Sequence, residues 1–223
     1  MNALVTGAAR GIGAAIAERL RADGWQVHGV DVEDGDLSTR EGNRAVVDAA
    51  LERFDGRLDA VVANAGFQHV APVREFPEEQ WEKLQALLVT SPFLLAKYAW
   101  DALAASGDGR FLVVASVHGL VASPFKAGYV AAKHGVLGLV KVLALEGAEA
   151  GISASALCPG YVRTALVEAQ LHDRSEADLL APQAVQRLLD PAEVAAAAAF
   201  LLGPDGRAVT GAPLVMDLGW TSR

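Results

Sequence analysis

The stretch TGAARGIG at residues 6–13 decides the fold, because it joins a short apolar run to the start of an amphipathic segment. Glycines at positions 7, 11 and 13 allow the backbone to approach a pyrophosphate closely, and the free N–H groups of a helix start would face that group. The spacing differs from the G-x-G-x-x-G pattern, so the position of the stretch carries the argument. It follows a buried strand and opens a helix in the first βαβ unit. The stretch therefore predicts a nucleotide-binding turn.

The same alternation continues through the rest of the chain. Short apolar runs occur at residues 3–6, 26–30, 58–63, 111–115, 152–157 and 214–216, and helical segments at about 11–23, 40–54, 78–105, 129–150 and 192–202. Strands that are buried on both faces and separated by helices form a parallel sheet with helices on each side. We therefore predict an α/β fold, a single-domain Rossmann-like doubly wound parallel sheet over residues 1–223.

One connection is too short for a complete unit. Only four residues separate Asp31 from Asp36, whereas a parallel crossover with its helix needs roughly a dozen or more. We expect about six strands, with at most a stub of a seventh.

Composition excludes several classes of protein. The 223 residues are 52% hydrophobic, and 19 basic against 27 acidic residues give a net charge of −8, which argues against a nucleic-acid partner. Cys158 is the single cysteine and cannot form an internal disulfide, which fits the cytoplasm. We read no signal peptide and expect no membrane span. The histidines show no metal-ligand spacing, so no metal site is predicted.

An acidic residue ends the second strand. Asp31 lies 24 residues beyond Gly7, where a carboxylate would accept hydrogen bonds from both ribose hydroxyls of an adenosine. The same carboxylate would repel a 2′-phosphate, which favours NAD over NADP. Arg10 is an opposing signal, since an arginine there could meet a 2′-phosphate. We expect the acid to prevail.

Three residues form a candidate catalytic group. Tyr129 and Lys133 are four residues apart and share one face of a helix, and Ser116 stands thirteen residues before Tyr129 at the end of a strand. A neighbouring ammonium favours phenolate and should lower the tyrosine pKa. Tyr129 could then exchange a proton with an alcohol while hydride passes to a nicotinamide, and Ser116 could hold the substrate oxygen.

Together, the glycine pattern, Asn64-Ala65-Gly66 and the run from Tyr129 to Lys133 resemble the short-chain dehydrogenase/reductase family from residue 2 almost to the end. Within it, residues 67–69, 116–123, 126, 129–135, 158–164 and 219–223 are similar to the bacterial D-3-hydroxybutyrate dehydrogenases. The resemblance implies an enzyme that interconverts (R)-3-hydroxybutyrate and acetoacetate with NAD. It also implies a homotetramer, built partly through the helices at 78–105 and 129–150.

The resemblance extends the candidate site in two directions. For the cofactor, it and the glycine turn indicate Gly7, Arg10, Gly11, Ile12, Gly13, Asp31, Asp36, Leu37, Asn64, Ala65, Gly66, Tyr129, Lys133, Pro159, Gly160, Val162 and Thr164. For a small hydroxy or keto acid substrate it implies Gln68, Ser116, His118, Lys126, Tyr129, Tyr161, Gln170 and Trp220. In this reading Gln68, His118 and Lys126 bind the carboxylate, Trp220 packs on the methyl end, and a short lid near residues 164–190 carries Gln170.

Three departures from the family pattern leave other functions open. Leu88 stands where the family has an asparagine that links the lysine to solvent through water, with Ser91 or Thr90 as candidate replacements. The connection after Asp31 and the region between Thr164 and Pro191 are both shortened. One alternative is a family member acting on another small alcohol or carbonyl compound. The other is a weakly active NAD-binding protein, which Leu88 motivates.

Overall fold

A computed structural model describes residues 1–169 and 175–222. Its strands are β1 (Asn2–Thr6), β2 (Gln26–Val30), β3 (Ala60–Ala63), β4 (Gly109–Val114), β5 (Ile152–Pro159) and β6 (Pro213–Met216). Its helices are α1 (Gly11–Ala22), α2 (Arg40–Arg53), α3 (Glu78–Gln85), α4 (Ser91–Ala105), α5 (Ala127–Gly147), α6 (Ala165–Glu168), α7 (Glu176–Leu180) and α8 (Pro191–Leu202).

The six strands form one parallel sheet in the order β2-β1-β3-β4-β5-β6. The chain leaves β2 and crosses β1 before it enters β3, so the direction of winding reverses between β1 and β3. The carboxyl ends of strands at such a reversal form the crevice where doubly wound proteins bind ligands. The predicted α/β fold with a single parallel sheet is confirmed.

Helices cover both faces of the sheet, and β1 shows why. Leu4 packs in a core with residues of α2, α4 and α5, including Val46 and Val140. Ala3 and Val5 point to the opposite face and pack with Ile16 of α1 and Val194 of α8. Alternate residues of one strand therefore serve two separate cores, which requires the continuous apolar run that the sequence shows.

The sheet ends at β2, as the short connection after Asp31 predicts. A tight turn leads from Asp31 to α2, and Thr39 caps that helix by accepting a hydrogen bond from the Gly42 N–H. Leu37 is buried in this turn, where the Asn43 side chain donates to its carbonyl at 2.8 Å. In the classical order a further strand lies outside the second; the described residues place none there.

The predicted helix at 78–105 is not one regular helix. It consists of α3, a π-helical turn at Ala86–Thr90 and α4, which continue directly from one another. Such a π turn is rare and is frequently found at functional sites. Helices α6 and α7 are additions that the sequence patterns did not predict, because each is only one turn long.

Helix α5 is apolar enough to resemble a membrane span by length and composition, with a mean hydropathy of 1.3 over eighteen residues. Its buried residues include Ala132, Val136 and Val140. Val136 and Val140 belong to the core that also contains Leu4 of β1. The helix therefore packs as a core element of the α/β fold.

Candidate active site

The glycine turn is built for close approach. Gly7 and Gly11 adopt positive φ angles of 64° and 58°, which residues with a side chain rarely adopt. At Gly13 an added Cβ would lie 2.1 Å from the Gly7 carbonyl oxygen. No larger residue fits there, because the first turn of α1 packs directly on the backbone of the loop.

Asn64, at the end of β3, holds this turn in place. Its side-chain amide donates to the carbonyl oxygens of Thr6 at 2.9 Å and Gly7 at 3.2 Å. The backbone N–H groups of Asn64 and Ala65 in turn donate to the Thr6 hydroxyl. The N-cap residue of α1, Arg10, makes no side-chain capping hydrogen bond, and the first turn contains no acidic residue. The first N–H groups of the helix therefore remain available to an anion.

Asp31 is tied to the same turn. Its two carboxylate oxygens accept hydrogen bonds from the N–H groups of Ala9 at 3.0 Å and Val32 at 2.9 Å. A negative charge is thereby fixed at the end of β2, one strand away from the glycine turn.

A cleft of about 890 Å³ runs along the carboxyl ends of the strands between these groups. Of the residues predicted for the cofactor, Gly13 lies behind Gly7 and does not line the cleft. All the others do, namely Gly7, Arg10, Gly11, Ile12, Asp31, Asp36, Leu37, Asn64, Ala65, Gly66, Tyr129, Lys133, Pro159, Gly160, Val162 and Thr164. Across the cleft, a Cβ added to Gly11 would meet Thr164 at 3.3 Å. The volume, the close backbone and the strand-end acid fit a dinucleotide.

Ser116, Tyr129 and Lys133 meet at one end of the cleft. Ser116 follows β4 and its hydroxyl accepts the His118 N–H at 3.1 Å, while a hydrogen bond joins it to Tyr129. The Lys133 ammonium donates to the Val114 carbonyl at 2.8 Å and lies 5.5 Å from the centre of the Tyr129 ring. The sequence prediction that these three residues lie together agrees with this geometry.

The expected direction of the tyrosine pKa is wrong for the protein alone. Burial raises the pKa of Tyr129 to about 12, although the hydrogen bond from Ser116 opposes this. Burial also lowers the pKa of Lys133 to about 8. Desolvation is the largest cause of both pKa shifts, so the ammonium by itself does not produce a phenolate here.

A second, narrow cavity of about 40 Å³ adjoins Ser116 and Tyr129. Its lining contains all the predicted substrate residues within the described chain: Gln68, Ser116, His118, Lys126, Tyr129, Tyr161 and Trp220. Gln170 lies outside the described residues. Leu166 and Val167 of α6 also line it, so a short helix in the predicted lid region lies against the cavity.

Aromatic rings form one wall of this cavity. Trp220 lies 5.0 Å from Tyr161 and 5.4 Å from His118, measured between ring centres. Asp217 holds the turn that carries Trp220, because its carboxylate accepts hydrogen bonds from Gly219, from the Thr221 N–H and from the Thr221 hydroxyl.

Lys126 places a cation in the same cavity. It is only 4% exposed, and its ammonium lies 5.5 Å from the centre of the Tyr161 ring. This distance is within the range of a cation–π contact with Tyr161.

The predicted role of His118 as a carboxylate donor stays a prediction, and the structure shows serine hydroxyls beside both of its ring nitrogens. Its Nδ1 lies 3.4 Å from the Ser116 hydroxyl and its Nε2 lies 2.9 Å from the Ser123 hydroxyl. Burial, followed by the charge of Lys126, lowers the pKa of His118 to about 3, so the ring is neutral at pH 7. Both ring nitrogens have protein partners, which the spacing of residues along the sequence could not reveal.

Leu88 lies in the π turn and is buried in an apolar cluster with Leu84 and Ala132, against which Tyr129 packs. The two candidate replacements for the family asparagine have different surroundings. Ser91 is buried and donates to Asn43 at 2.6 Å, and Thr90 is exposed.

Two contributors were missed by sequence reasoning. The Val114 carbonyl accepts from Lys133, and the Ser123 hydroxyl contacts His118. A backbone carbonyl carries no sequence signal, whereas Ser123 does lie in a segment that resembles the family. In residues 1–169 and 175–222, no group of three or more His, Cys, Asp or Glu side chains could hold a metal ion. Burial raises the pKa of the Cys158 thiol to about 11, as expected of a packing residue.

Comparison with known proteins agrees with this geometry. A family model described as Enoyl-(Acyl carrier protein) reductase matches residues 29–221. The chain is 40% identical to an uncharacterized oxidoreductase of Bacillus subtilis (99% of this chain, 98% of the relative). It is 38% identical to D-beta-hydroxybutyrate dehydrogenase of Cupriavidus necator (100% and 98%) and 35% identical to that of Rhizobium meliloti (100% and 99%).

These relatives are longer than the chain. The alignment with the Cupriavidus necator protein extends over 253 positions, against 223 residues here. The relative therefore carries insertions, in agreement with the shortened connections that the sequence shows.

Proposed function

Since the chain belongs to the short-chain dehydrogenase/reductase family, we propose that it interconverts (R)-3-hydroxybutyrate and acetoacetate with NAD. That it is an oxidoreductase of this family follows from the matches over almost its full length. The substrate and the choice of NAD are the proposal, and two relatives named D-beta-hydroxybutyrate dehydrogenase support the substrate.

One observation carries the choice of an acid as substrate. The ammonium of Lys126 is buried in the narrow cavity beside Ser116 and Tyr129. A buried ammonium attracts a carboxylate more strongly than an exposed one, because little water screens the two charges. A substrate carboxylate in this cavity would form such a charge-assisted hydrogen bond with Lys126, and the Gln68 amide in the same lining would donate a second one. We assign the carboxylate to Lys126 and Gln68, because both nitrogens of His118 have other partners.

The small end of the substrate would meet the aromatic wall. A four-carbon acid whose carboxylate lies on Lys126 leaves a single methyl group to be packed, and Trp220 and Tyr161 offer an apolar surface for it. Leu166 and Val167 of the α6 region exclude water from the same space. A narrow cavity bounded by these side chains selects short acids over long ones.

In the proposed reaction, Ser116 and Tyr129 both hydrogen-bond the substrate oxygen. As hydride leaves the substrate carbon, Tyr129 takes the alcohol proton, and in reverse it donates that proton. NAD, when bound, accepts the hydride and brings a positive ring charge that favours phenolate. Lys133, held by the Val114 carbonyl, keeps its ammonium beneath the Tyr129 ring and orients the phenol.

Asp31 supports NAD over NADP. Its carboxylate is held at the rim of the cleft by backbone N–H groups, where it can accept both ribose hydroxyls and repels a 2′-phosphate. Arg10 also lines the cleft, where its guanidinium would contact the pyrophosphate instead of a 2′-phosphate.

We also propose a cytoplasmic homo-oligomer, a tetramer by resemblance. Large apolar side chains on the outer faces of α4 and α5 support association, since Phe93, Val142 and Leu145 are 45%, 47% and 79% exposed.

The first experiment follows NADH formation with purified protein, NAD and (R)-3-hydroxybutyrate, beside the (S) enantiomer and uncharged 2-butanol. Turnover restricted to the (R) acid is expected, and Lys126→Met should raise KM for the acid at least about tenfold while leaving NADH binding unchanged. Equal turnover of 2-butanol and the acid would refute the carboxylate assignment. NADH binding without turnover of either would favour the alternative of a weakly active binding protein.

A further inference from the structure

We propose that Phe125 is a positioning residue for the carboxylate of the substrate. Its left-handed backbone, joined by a hydrogen bond to Ala71, holds Lys126 in the narrow cavity and ties the loop of Lys126 to the loop of Gln68. Phe125 is not among the described residues that line the cleft or the narrow cavity, so it acts through its main chain. The proposal rests on the dehydrogenase function and the carboxylate assignment proposed above.

Phe125 has an unusual backbone conformation. Its φ angle is 68°, a left-handed value that glycine adopts freely and that asparagine tolerates better than most residues with a side chain. It follows Pro124 in a turn, where a positive φ after a proline normally requires glycine or asparagine. An aromatic residue is strained in this conformation, which persists only where the surrounding structure imposes it.

The main chain accounts for this conformation better than the ring does. The Phe125 side chain is 54% exposed, so packing of the ring contributes little. The Phe125 carbonyl, in contrast, accepts the Ala71 N–H at 2.9 Å. Because the carbonyl lies beyond the N–Cα bond, rotation of Phe125 to an ordinary negative φ would turn it away from that N–H. The hydrogen bond therefore favours the left-handed backbone.

The same rotation would displace Lys126, the next residue along the chain. Lys126 is 4% exposed beside the exposed Phe125, so the turn directs one side chain outward and the next into the cavity. The Lys126 carbonyl accepts the Val130 N–H at 2.8 Å, which joins it to the first turn of α5. Since α5 packs in the core, a relaxed turn would shift Lys126 and leave Tyr129 in place.

The hydrogen bond between Ala71 and Phe125 also joins the loops of the two carboxylate ligands. Gln68 lies three residues before Ala71 in the loop after β3, and Lys126 directly follows Phe125 in the segment between β4 and α5. Both ligands line the narrow cavity. A carboxylate bound by both needs their donors at a suitable separation, so a link between the loops prepares the site before the substrate binds.

The test compares Phe125→Asn with Phe125→Val. Both remove the ring, but a β-branched residue disfavours a positive φ far more than asparagine does. Phe125→Asn should keep KM for (R)-3-hydroxybutyrate within about twofold of the parent. Phe125→Val should raise that KM at least about tenfold while kcat and NADH binding stay within about twofold, the pattern of lost substrate binding.

Hydrogen-exchange NMR of the Ala71 amide follows the link between the loops directly. The amide should be protected in the parent and in Phe125→Asn, and should exchange at least about tenfold faster in Phe125→Val. Asp55→Val is the matched control, because Asp55 also has a left-handed φ of 51° but lies between α2 and β3, away from the carboxyl ends of the strands. This change should leave both KM and the exchange of Ala71 as in the parent.

Equal KM values in Phe125→Asn and Phe125→Val would overturn the proposal, because the effect would then not depend on the left-handed backbone. An Ala71 amide that exchanges in the parent as fast as in the unfolded chain would overturn it too, and this measurement needs neither a variant nor a substrate. A parent that does not oxidise (R)-3-hydroxybutyrate therefore refutes the proposed function, whereas the exchange of Ala71 decides separately whether the link between the loops exists.

Discussion

Acidification should destabilise the protein through His118. The folded protein keeps this ring neutral, with a pKa of about 3, because burial and the nearby Lys126 charge oppose protonation. In the unfolded chain the ring has its ordinary pKa near 6.5. Below pH 6.5 the unfolded chain therefore binds a proton that the folded protein does not, and stability is lost as the pH falls.

The size of the loss follows from the two pKa values. Each pH unit between them contributes about 1.4 kcal/mol, so lowering the pH from 8 to 5 should cost about 2 kcal/mol. That figure does not depend on the folded pKa, provided that it stays well below 5. The ring is buried, so solvent screening does not reduce the effect.

Urea unfolding at pH 8 and pH 5, followed by tryptophan fluorescence, measures this difference. His118→Gln cannot titrate, and its loss between the two pH values should be smaller than that of the parent by about 2 kcal/mol. Carboxylates titrate in both proteins and cancel in the comparison. His69→Gln leaves His118 in place and should show the loss of the parent. Equal losses in the parent and His118→Gln would refute the reasoning.

Three further predictions concern the cleft and its support. Gly13→Ala should abolish NADH binding in a fluorescence titration, because its Cβ would meet the Gly7 oxygen, whereas Gly138→Ala, where a Cβ meets nothing within 4 Å, should leave binding intact. Asp31→Ser should reduce the ratio of kcat/KM with NAD to that with NADP by at least about tenfold, since repulsion of the 2′-phosphate is removed; an unchanged ratio would show that Asp31 does not select the cofactor. Leu88→Asn should lower the free energy of unfolding by about 2–4 kcal/mol without raising kcat, because it buries an amide in an apolar cluster; a gain in kcat would show that the lost asparagine limits the enzyme.

Much of the fold could be predicted because its signals are local. The glycine turn, the apolar runs and the capping residues each depend on neighbours in the chain. Asp190 and Glu193, for example, form a reciprocal cap at the start of α8, whose first residue is Pro191. The gathering of residues from distant segments around Ser116 could be anticipated only through the family resemblance.

What escaped prediction depends on three-dimensional surroundings. The pKa of Tyr129 rises because burial removes water from it, and no spacing between Tyr129 and Lys133 reveals that. The π turn at Ala86–Thr90 forms although the family asparagine is absent. In its place, the turn carries Leu88, which packs in an apolar cluster. His118 acquires two serine partners through the fold of a single loop.

The position of β2 at the end of the sheet has a practical consequence. Among residues 1–169 and 175–222, the turn from Asp31 to α2 follows β2 at this edge and lines the end of the cleft where adenosine would bind. When the adenine ring of a cofactor is joined to a resin or a dye, the linker would thus extend past the edge of the sheet into solvent without meeting a further strand. Adenine-linked affinity media should retain this protein, and nicotinamide cofactor analogues enlarged at the adenine ring should be accepted.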